Sequence, residues 1–371
     1  MLMENNISQT IDLDELVNAG IHGIRIAIKE SLSQVEKRPH KALKTIRIGR
    51  KKQKKALAVD LSAENTFEEE IQKYHRKKFS FVQVYGEESL AVEDLDLVAE
   101  AEEMGENATF ALVDMVDGTD LLERGLSNWC SAVIIFQPTA PDGKKILAAF
   151  VGLPDKRIYY SSAKNKRVFV CKDSVENRRP VGGCSLVTKL NDASICFYGQ
   201  KHKALQIFFN HVTSETPTLF DYLKQEDEKR KNTREGKKVK GETPGVDDED
   251  IEFRIYNLAG IPMMVKMIDI STKLKEAEVK SIDLVFDVRG QNPHDVVPGA
   301  YLAMKAGATV RKLWKNEEFP NGNYADMSYQ DLENSLMRPA SKKSKLKYIV
   351  ASTKELADEI TPLILPLVEN E

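Results

Sequence analysis

The 371-residue chain carries 54 basic and 57 acidic side chains, a net charge of -3, with 42% hydrophobic and 7% aromatic residues. That is an ordinary globular composition, long enough for two domains or one large α/β unit, and its near-neutral balance gives no reason to expect a polyanionic partner. Met1–Asp14 lacks a basic segment followed by an apolar core, and no uncharged apolar run approaches the ~18 residues of a membrane span, so neither a secretory signal nor a membrane partner is expected. The four cysteines, Cys130, Cys171, Cys184 and Cys196, form no Cys-x-x-Cys pair. They read as reduced thiols of a cytoplasmic protein rather than as zinc ligands or a disulfide framework.

Along the chain, Ile11–Val35 places Leu13, Leu16, Val17, Ile21, Ile24 and Ile28 at helical spacing. Lys37–Lys55 follows with ten Lys and Arg and no acidic residue. It reads as a solvated loop that raises the positive field near an anionic substrate, and the lack of interleaved aromatics lowers the nucleic-acid reading. Thr66–Tyr74 predicts a helix and Phe81–Tyr85 a strand. Phe110–Val113 predicts a buried strand, and Asp120–Arg124 a helical turn. Ala132–Phe136 and Ile146–Val151 predict strands around a Pro141-Asp142-Gly143 turn, and Arg157–Tyr160 with Arg167–Val170 a hairpin. Ser194–Tyr198 begins a second set of elements. Lys224–Asp250 has 17 charged residues of 27 and no apolar period, so it reads as a surface insertion. Pattern returns over Phe253–Ile268, a helix entered through Asn257–Pro262. Ile282–Phe286 is a strand, Asp295–Ala306 a helix closing at Gly307, and Tyr348–Ala351 a last strand. The expected division is a 1–185 half and a 186–371 half, the latter carrying the 224–250 insertion.

Three acidic positions fall at element ends: Glu87 after the strand ending at Tyr85, the pair Asp114 and Asp117 in Asp-Met-Val-Asp-Gly-Thr, and Asp295 in Pro-His-Asp-Val-Val-Pro-Gly-Ala. Alone, each has an ordinary reading: a solvated turn, a turn with a helix cap, and the N-cap of the helix that follows. Together they form an all-oxygen donor set. Magnesium takes oxygen ligands in octahedral geometry with positions left for water and phosphate, and two such ions can clamp attacking and leaving oxygens. Gly118-Thr119 adds helix-start amides for an anion, and the Thr119 hydroxyl can orient a water.

Other phosphate chemistries fit less well. Cys171 and Arg178 are one residue too far apart for Cys-x5-Arg. Asp94-x-Asp96-x-Val98 follows no long buried strand and reads as an exposed helix. No Gly-x4-Gly-Lys-Ser/Thr loop is present, and the six histidines make no His-x3-His pair.

The ordered motifs Gly86-Glu87-Glu88-Ser89, Asp114-x-Val116-Asp117-Gly118-Thr119 and Asp295 before a Gly-Ala helix resemble the inositol monophosphatase and fructose-1,6-bisphosphatase superfamily. These are magnesium-dependent, lithium-sensitive phosphatases. The resemblance runs from about Ala56 to about Val310. Phe286-Asp287-Val288-Arg289 is similar to the archaeal dual-specificity branch. The resemblance implies a layered α/β/α/β/α sandwich, an α/β (α+β) fold with the site between its halves. It implies that Glu87, Asp114 and the Val116 carbonyl hold one magnesium, and Asp114, Asp117 and Asp295 a second. Glu64 and Glu88 would support a third. Thr119 and Glu87 would activate the attacking water, Gly118 and Thr119 amides would bind phosphate, and Asp117, Arg254 and Asn257 would contact substrate. Mn²⁺ is an alternative cofactor, and Li⁺ and Ca²⁺ are expected inhibitors. The expected partner is a small phosphorylated sugar or polyol, and the resemblance is compatible with a homodimer.

The chain also departs from that pattern. Met115 replaces a Pro, Asn257-Leu258-Ala259 replaces Gly-Ser-Ala, and His294 stands where Trp or an apolar residue is common, reading as a packing or phosphate-adjacent residue rather than a ligand. Lys164-Asn165-Lys166-Arg167 lacks a Gly-rich hairpin, and Lys305-Ala306-Gly307 lacks Glu-Ala-Gly. The metal side is retained and the substrate side has drifted. The expected reaction is hydrolysis of a small phosphate monoester by metal-activated water. The alternatives are a catalytically weak member acting as a binding protein and a 3′,5′-bisphosphate nucleotidase.

Overall fold

The structure is a computed structural model that describes residues 11–369 except 38, 49–53, 76–81, 91–94, 106, 173, 198–217, 240–253, 259, 271–281 and 342–343. The chain divides into two compact units. The first is Met1–Val181 with Asn292–Lys305 and Ser328–Lys345, and the second is Gly182–Gln291 with Ala306–Met327 and Leu346–Glu371.

In the first unit, helix α1 (Leu13–Lys37) is followed by a short α2 (Pro39–Ala42) and the antiparallel pair β1 (Thr45–Ile48) and β2 (Lys54–Leu57). Helix α3 (Ala58–His75) leads to β3 (Val82–Gly86), α4 (Glu87–Leu90) and α5 (Leu97–Met104). Then come β4 (Thr109–Asp117), α6 (Thr119–Glu123), β5 (Cys130–Phe136), β6 (Ile146–Gly152), β7 (Ile158–Ser162), β8 (Phe169–Cys171) and β9 (Arg179–Pro180). Strands β3 to β9 form one seven-stranded sheet in chain order, parallel at β3–β4 and antiparallel thereafter. Every residue of β4, β5, β6 and β7 is buried. A strand buried on both faces reads as a continuous apolar run, which is why Cys130–Phe136 and Ile146–Gly152 show no polar alternation.

One face of that sheet packs against α1 and α3. Leu16, Ile24, Ile28, Val59, Phe67 and Ile71 share a core with Val113, Val133, Ile135, Ala148, Phe150 and Tyr160. Gly20 and Gly152 set the spacing. A Cβ on Gly20 would stand 2.6 Å from Phe150, and one on Gly152 would stand 2.4 Å from Ile24 and 2.7 Å from Ile28.

The second unit holds a six-stranded mixed sheet in the order β11-β10-β12-β15-β13-β14. Its elements are β10 (Ser194–Phe197), α7 (Leu219–Val239), β11 (Arg254–Asn257), α8 (Gly260–Ile268) and β12 (Leu284–Gln291). The chain then returns to the first unit for a 3₁₀ turn, Pro293–Asp295, and α9 (Val297–Lys305). Strands β13 (Thr309–Trp314) and β14 (Asn323–Asp326) belong to the second unit, α10 (Tyr329–Leu336) to the first, and β15 (Leu346–Ala351) and α11 (Lys354–Ile364) to the second. Leu219, Leu356, Ile360 and Ile364 pack on Ile195, Leu284, Phe286 and Ile349.

Several sequence readings change: the basic run read as a loop forms α2 and the β1–β2 pair, and the helix read over Thr66–Tyr74 starts at Ala58. The helix expected to be entered through Asn257–Pro262 starts at Gly260, and the stretch before it, Arg254–Asn257, is a strand; Phe253 lies outside the described residues. Strand β11 is four residues long, pairs in parallel with β10 and is half exposed, so it leaves no apolar period to read. The charged stretch is helical as far as Val239, seeded by buried Leu219 and Leu223 and by the Thr218 hydroxyl, which accepts from the Asp221 amide at 3.0 Å. Residues 240–250 of that stretch lie outside the described residues. The helix expected over Asp295–Ala306 begins at Val297, with Pro298 in its first turn, where a missing N–H costs no intrahelical bond.

Among the described residues no helix is long and apolar enough to cross a membrane. The four cysteines are free and buried.

Gly152→Ala forces a methyl into the α1 contact and is expected to lower unfolding free energy by about 1–3 kcal/mol, the usual cost of overpacking. A urea melt of the full chain measures it, and an unchanged midpoint would mean that α1 yields freely.

Candidate metal centre

The site is built at the end of β4. A regular strand sends residues three apart to opposite faces, so Asp114 and Asp117 should diverge. The β4–β5 register prevents this: Asp114 pairs with Ala132 and Asp117 with Cys130, three steps on one strand against two on the other. That irregularity is a bulge, which re-aims side chains. Both carboxylates are buried, at 5% and 7% exposure.

Burial pushes the Asp114 carboxyl well above the usual carboxylate range, and the charges of Glu87, Asp117 and Asp295 add to it. Those three groups therefore face Asp114 closely enough to repel its ionised form. One hydrogen bond opposes them, from the Val116 amide to Asp114 Oδ1 at 3.0 Å. Glu87, at the first turn after β3, also gathers with His294 and Asp295, their donor atoms all within 4.8 Å of one another.

Asp295 does not cap a helix as expected. Asn292 is the N-cap, and Asp295 is the third residue of the turn, in a reciprocal capping box. Asp295 Oδ2 accepts from the Asn292 amide at 3.2 Å and from its side-chain nitrogen at 3.3 Å. Oδ1 lies 3.2 Å from His294 Nε2. The turn starts on Pro293, so the short helix is preorganised and the carboxylate is held by its own backbone.

Gly118 has φ +96°, a conformation that favours glycine, and leads straight into α6. Trp129 packs against it, 3.2 Å from where a Cβ would stand. The Thr119 hydroxyl donates to the Val116 carbonyl at 2.9 Å and lies 3.5 Å from Asp60 Oδ1. The Val116 oxygen keeps a second lone pair, so this bond leaves it able to act as a ligand.

Helix α3 supplies two further carboxylates, Asp60 and Glu64, 7% and 8% exposed. They are four residues apart on one helix face. The Glu64 carboxyl lies against Gly86, where a Cβ would come within 1.9 Å of it. Glu64 was expected as a supporting acid, but Asp60 was missed. The helix read from the sequence begins at Thr66, after both acids, so the place of Asp60 one turn before Glu64 shows only once α3 is seen to start at Ala58. Glu88 lies in α4, and its side chain falls outside the described set.

The structure thus brings Glu64, Glu87, Asp114, Val116, Asp117, Gly118, Thr119 and Asp295 into one unit. Arg254 and Asn257 are at the two ends of β11 in the other unit. The donor set is oxygen-rich and its carboxylates repel one another, which suits hard divalent cations: their charge offsets both the repulsion and the burial cost.

No protein-family model matches the chain, and no curated protein matches it by sequence. Solved structures do match. One is a hypothetical protein from Pyrococcus horikoshii with similarities for inositol-1 monophosphatase, 16% identical with a TM-score of 0.52, the match covering 97% of this chain and 100% of that one. Another is an archaeal gene product titled inositol monophosphatase–fructose 1,6-bisphosphatase, 14% identical with a TM-score of 0.53, covering 95% and 100%. A third is a 2′-AMP-bound SaIMPase-II, 14% identical with a TM-score of 0.52, covering 94% of each chain. The molecule is an α+β protein with two mixed sheets. Its fold is that of the inositol monophosphatase and fructose 1,6-bisphosphatase structures, as the motifs led one to expect.

Because the folded state raises the Asp114 proton affinity, this group's stability contribution is full below the ordinary carboxylate pKa of ~3.9. It is lost as pH climbs through the raised value. In EDTA, Asp114→Asn is therefore expected to unfold at higher urea than wild type at pH 7, the two converging below about pH 4. A lower midpoint for the variant at pH 7 would mean that Asp114 is a net stabiliser.

Proposed function

We propose that the protein is a magnesium-dependent phosphomonoesterase acting on a small sugar or inositol phosphate. The observation that carries this reading is the convergence of Glu87, Asp117 and Asp295 on buried Asp114, within a fold shared with inositol monophosphatases. When bound, two or three divalent cations would supply Lewis-acid stabilisation and acidify water, the charge work of in-line displacement at phosphorus. Glu87, Asp114 and the Val116 carbonyl would hold one, and Asp114, Asp117 and Asp295 another. Glu64 and Glu88 would support a third. Mn²⁺ is a plausible substitute, and Li⁺ and Ca²⁺ should inhibit.

The chain's own groups would do the rest. Thr119, anchored on the Val116 carbonyl and facing Asp60, orients the attacking water together with Glu87. The amides of Gly118 and Thr119 receive the phosphate, with the positive end of α6 behind them. Asp117, Arg254 and Asn257 are the proposed contacts to the alcohol side of the substrate. The four reduced, buried cysteines fit a cytoplasmic setting. A nucleotide phosphate is the second reading, supported by the 2′-AMP bound to one structural neighbour.

Phosphate release tests the proposal, using inositol 1-phosphate, fructose 1,6-bisphosphate, 2′-AMP and a 3′,5′-bisphosphate nucleotide with Mg²⁺. Asp114→Asn should lower kcat/KM by roughly 10³-fold, at ~1.4 kcal/mol per tenfold, with the fold intact by circular dichroism. No turnover on the whole panel would favour a binding protein instead. Thr119→Ala should cut kcat by about 10²-fold or more while leaving Mn²⁺ affinity within about twofold. Equal losses in both would make Thr119 a support of the metal site.

A further inference from the structure

Glu87, His294 and Asp295 form a mixed carboxylate–imidazole group, their donor atoms mutually within 4.8 Å and His294 only 3% exposed. In an octahedron with bonds of ~2.1 Å, neighbouring ligand atoms stand ~3.0 Å apart and opposite ones ~4.2 Å. His294 Nε2 and Asp295 Oδ1 are 3.2 Å apart, close to an octahedral edge. The Glu87 donor, within 4.8 Å of both, brings the neighbouring carboxylate of the site up to this pair. The 3₁₀ turn from Pro293 to Asp295 holds both side chains on consecutive residues, and the capping box on Asn292 fixes that turn.

We infer that His294 is a direct nitrogen ligand of the cation held by Asp295, so that this position prefers Mn²⁺ or Zn²⁺ over Mg²⁺. The inference rests on the cation-site reading above, and not on which ester is hydrolysed. The chemistry is general. Imidazole suits Zn²⁺ and other borderline transition ions, whereas Mg²⁺ binds oxygen almost alone. An imidazole replacing one oxygen therefore raises affinity up the transition series and leaves Mg²⁺ little changed. The rival geometry is a hydrogen bond from His294 Nε2 to Asp295 Oδ1, which would make His294 a positioning residue for an oxygen-only site.

Pulsed EPR of the full chain loaded with substoichiometric Mn²⁺ separates these. Direct ligation gives a nitrogen-14 coupling to Mn²⁺ that is lost in both His294→Leu and His294→Gln. Calorimetric titration with Zn²⁺ and with Mg²⁺, in wild type and both variants, supplies the second readout. Zn²⁺ affinity is expected to fall by about tenfold or more and Mg²⁺ affinity by less than about threefold. Circular dichroism and urea melts confirm that the variants fold, and two side chains of different polarity guard against one of them failing. Mn²⁺ binding without nitrogen coupling, or parallel losses for Zn²⁺ and Mg²⁺, overturns the assignment of His294 while leaving the carboxylate site standing. No binding of any divalent ion by folded wild type overturns both this inference and the metal-dependent reading beneath it.

Discussion

The first unit is organised around one electrostatic constraint: several carboxylates are held together in a place where they repel. Asp114 is the focus, raised by its own burial and by three neighbouring charges. Nothing soft could hold such a group. Each acid is accordingly placed on, or at the end of, a rigid element. Asp114 and Asp117 lie on a fully buried nine-residue strand, Asp60 and Glu64 on one face of an 18-residue helix, Glu87 where β3 turns into α4, and Asp295 in a proline-started turn. The seven-stranded sheet and the core beneath α1 and α3 fix β3 and β4 relative to α3.

Small local devices then set the direction of each carboxylate. The β4 bulge turns two residues of odd spacing toward one place. Gly86 leaves room for the Glu64 carboxyl against the strand backbone. The Val116 amide on Asp114 favours its ionised form, partly offsetting what burial does. This balance explains why the cluster is suited to a cation. In its absence burial and like charge push Asp114 toward its protonated form, at a cost to the fold at neutral pH. With a divalent charge among the acids, the same burial strengthens every attraction. Asp114, which destabilises the isolated chain at neutral pH, is thus the residue that an ion in the proposed site would reward, the usual tension between stability and a working site.

Much of this was legible in the sequence, for reasons that differ by element. Helix α1 and strands β5 and β6 are long or strongly patterned, and tertiary packing agrees with their local preference. The two short strands Arg254–Asn257 and Asn323–Asp326 are not; each is four residues long and largely exposed, so neither carries a buried period. Helices α10 and α11 were passed over although their starts are marked. Ser328 with Asp331 forms a capping box, and Thr353 caps the other through the Leu356 amide. The site acids stood out as a motif because four of them sit at element ends. Asp60 did not, since it lies inside a helix, and its meaning comes from Thr119, 59 residues away. The bulge was equally hidden, because register belongs to a pair of strands and not to either one.

The route of the chain adds a last consequence. Asp295 reaches the cluster only after the chain has left the first unit, built most of the second and returned at Asn292. The loop closed between Asp117 and Asp295 is long, so joining the fourth acid to the other three costs conformational entropy, and like charge opposes the same step. Three features oppose that cost without any ion: the Asn292 capping box, buried Val297 and Leu302 in α9, and the Lys305 ammonium donating to the Asn165 carbonyl at 2.8 Å. A cation bound by Asp295 together with Asp114 and Asp117 would add to them by mass action, since it binds the assembled site and not the open chain. On that reading, metal loading and the docking of the 292–305 return segment would be one equilibrium. The turn that presents Asp295 is then where occupancy of the proposed site and completeness of the first unit would become the same physical event.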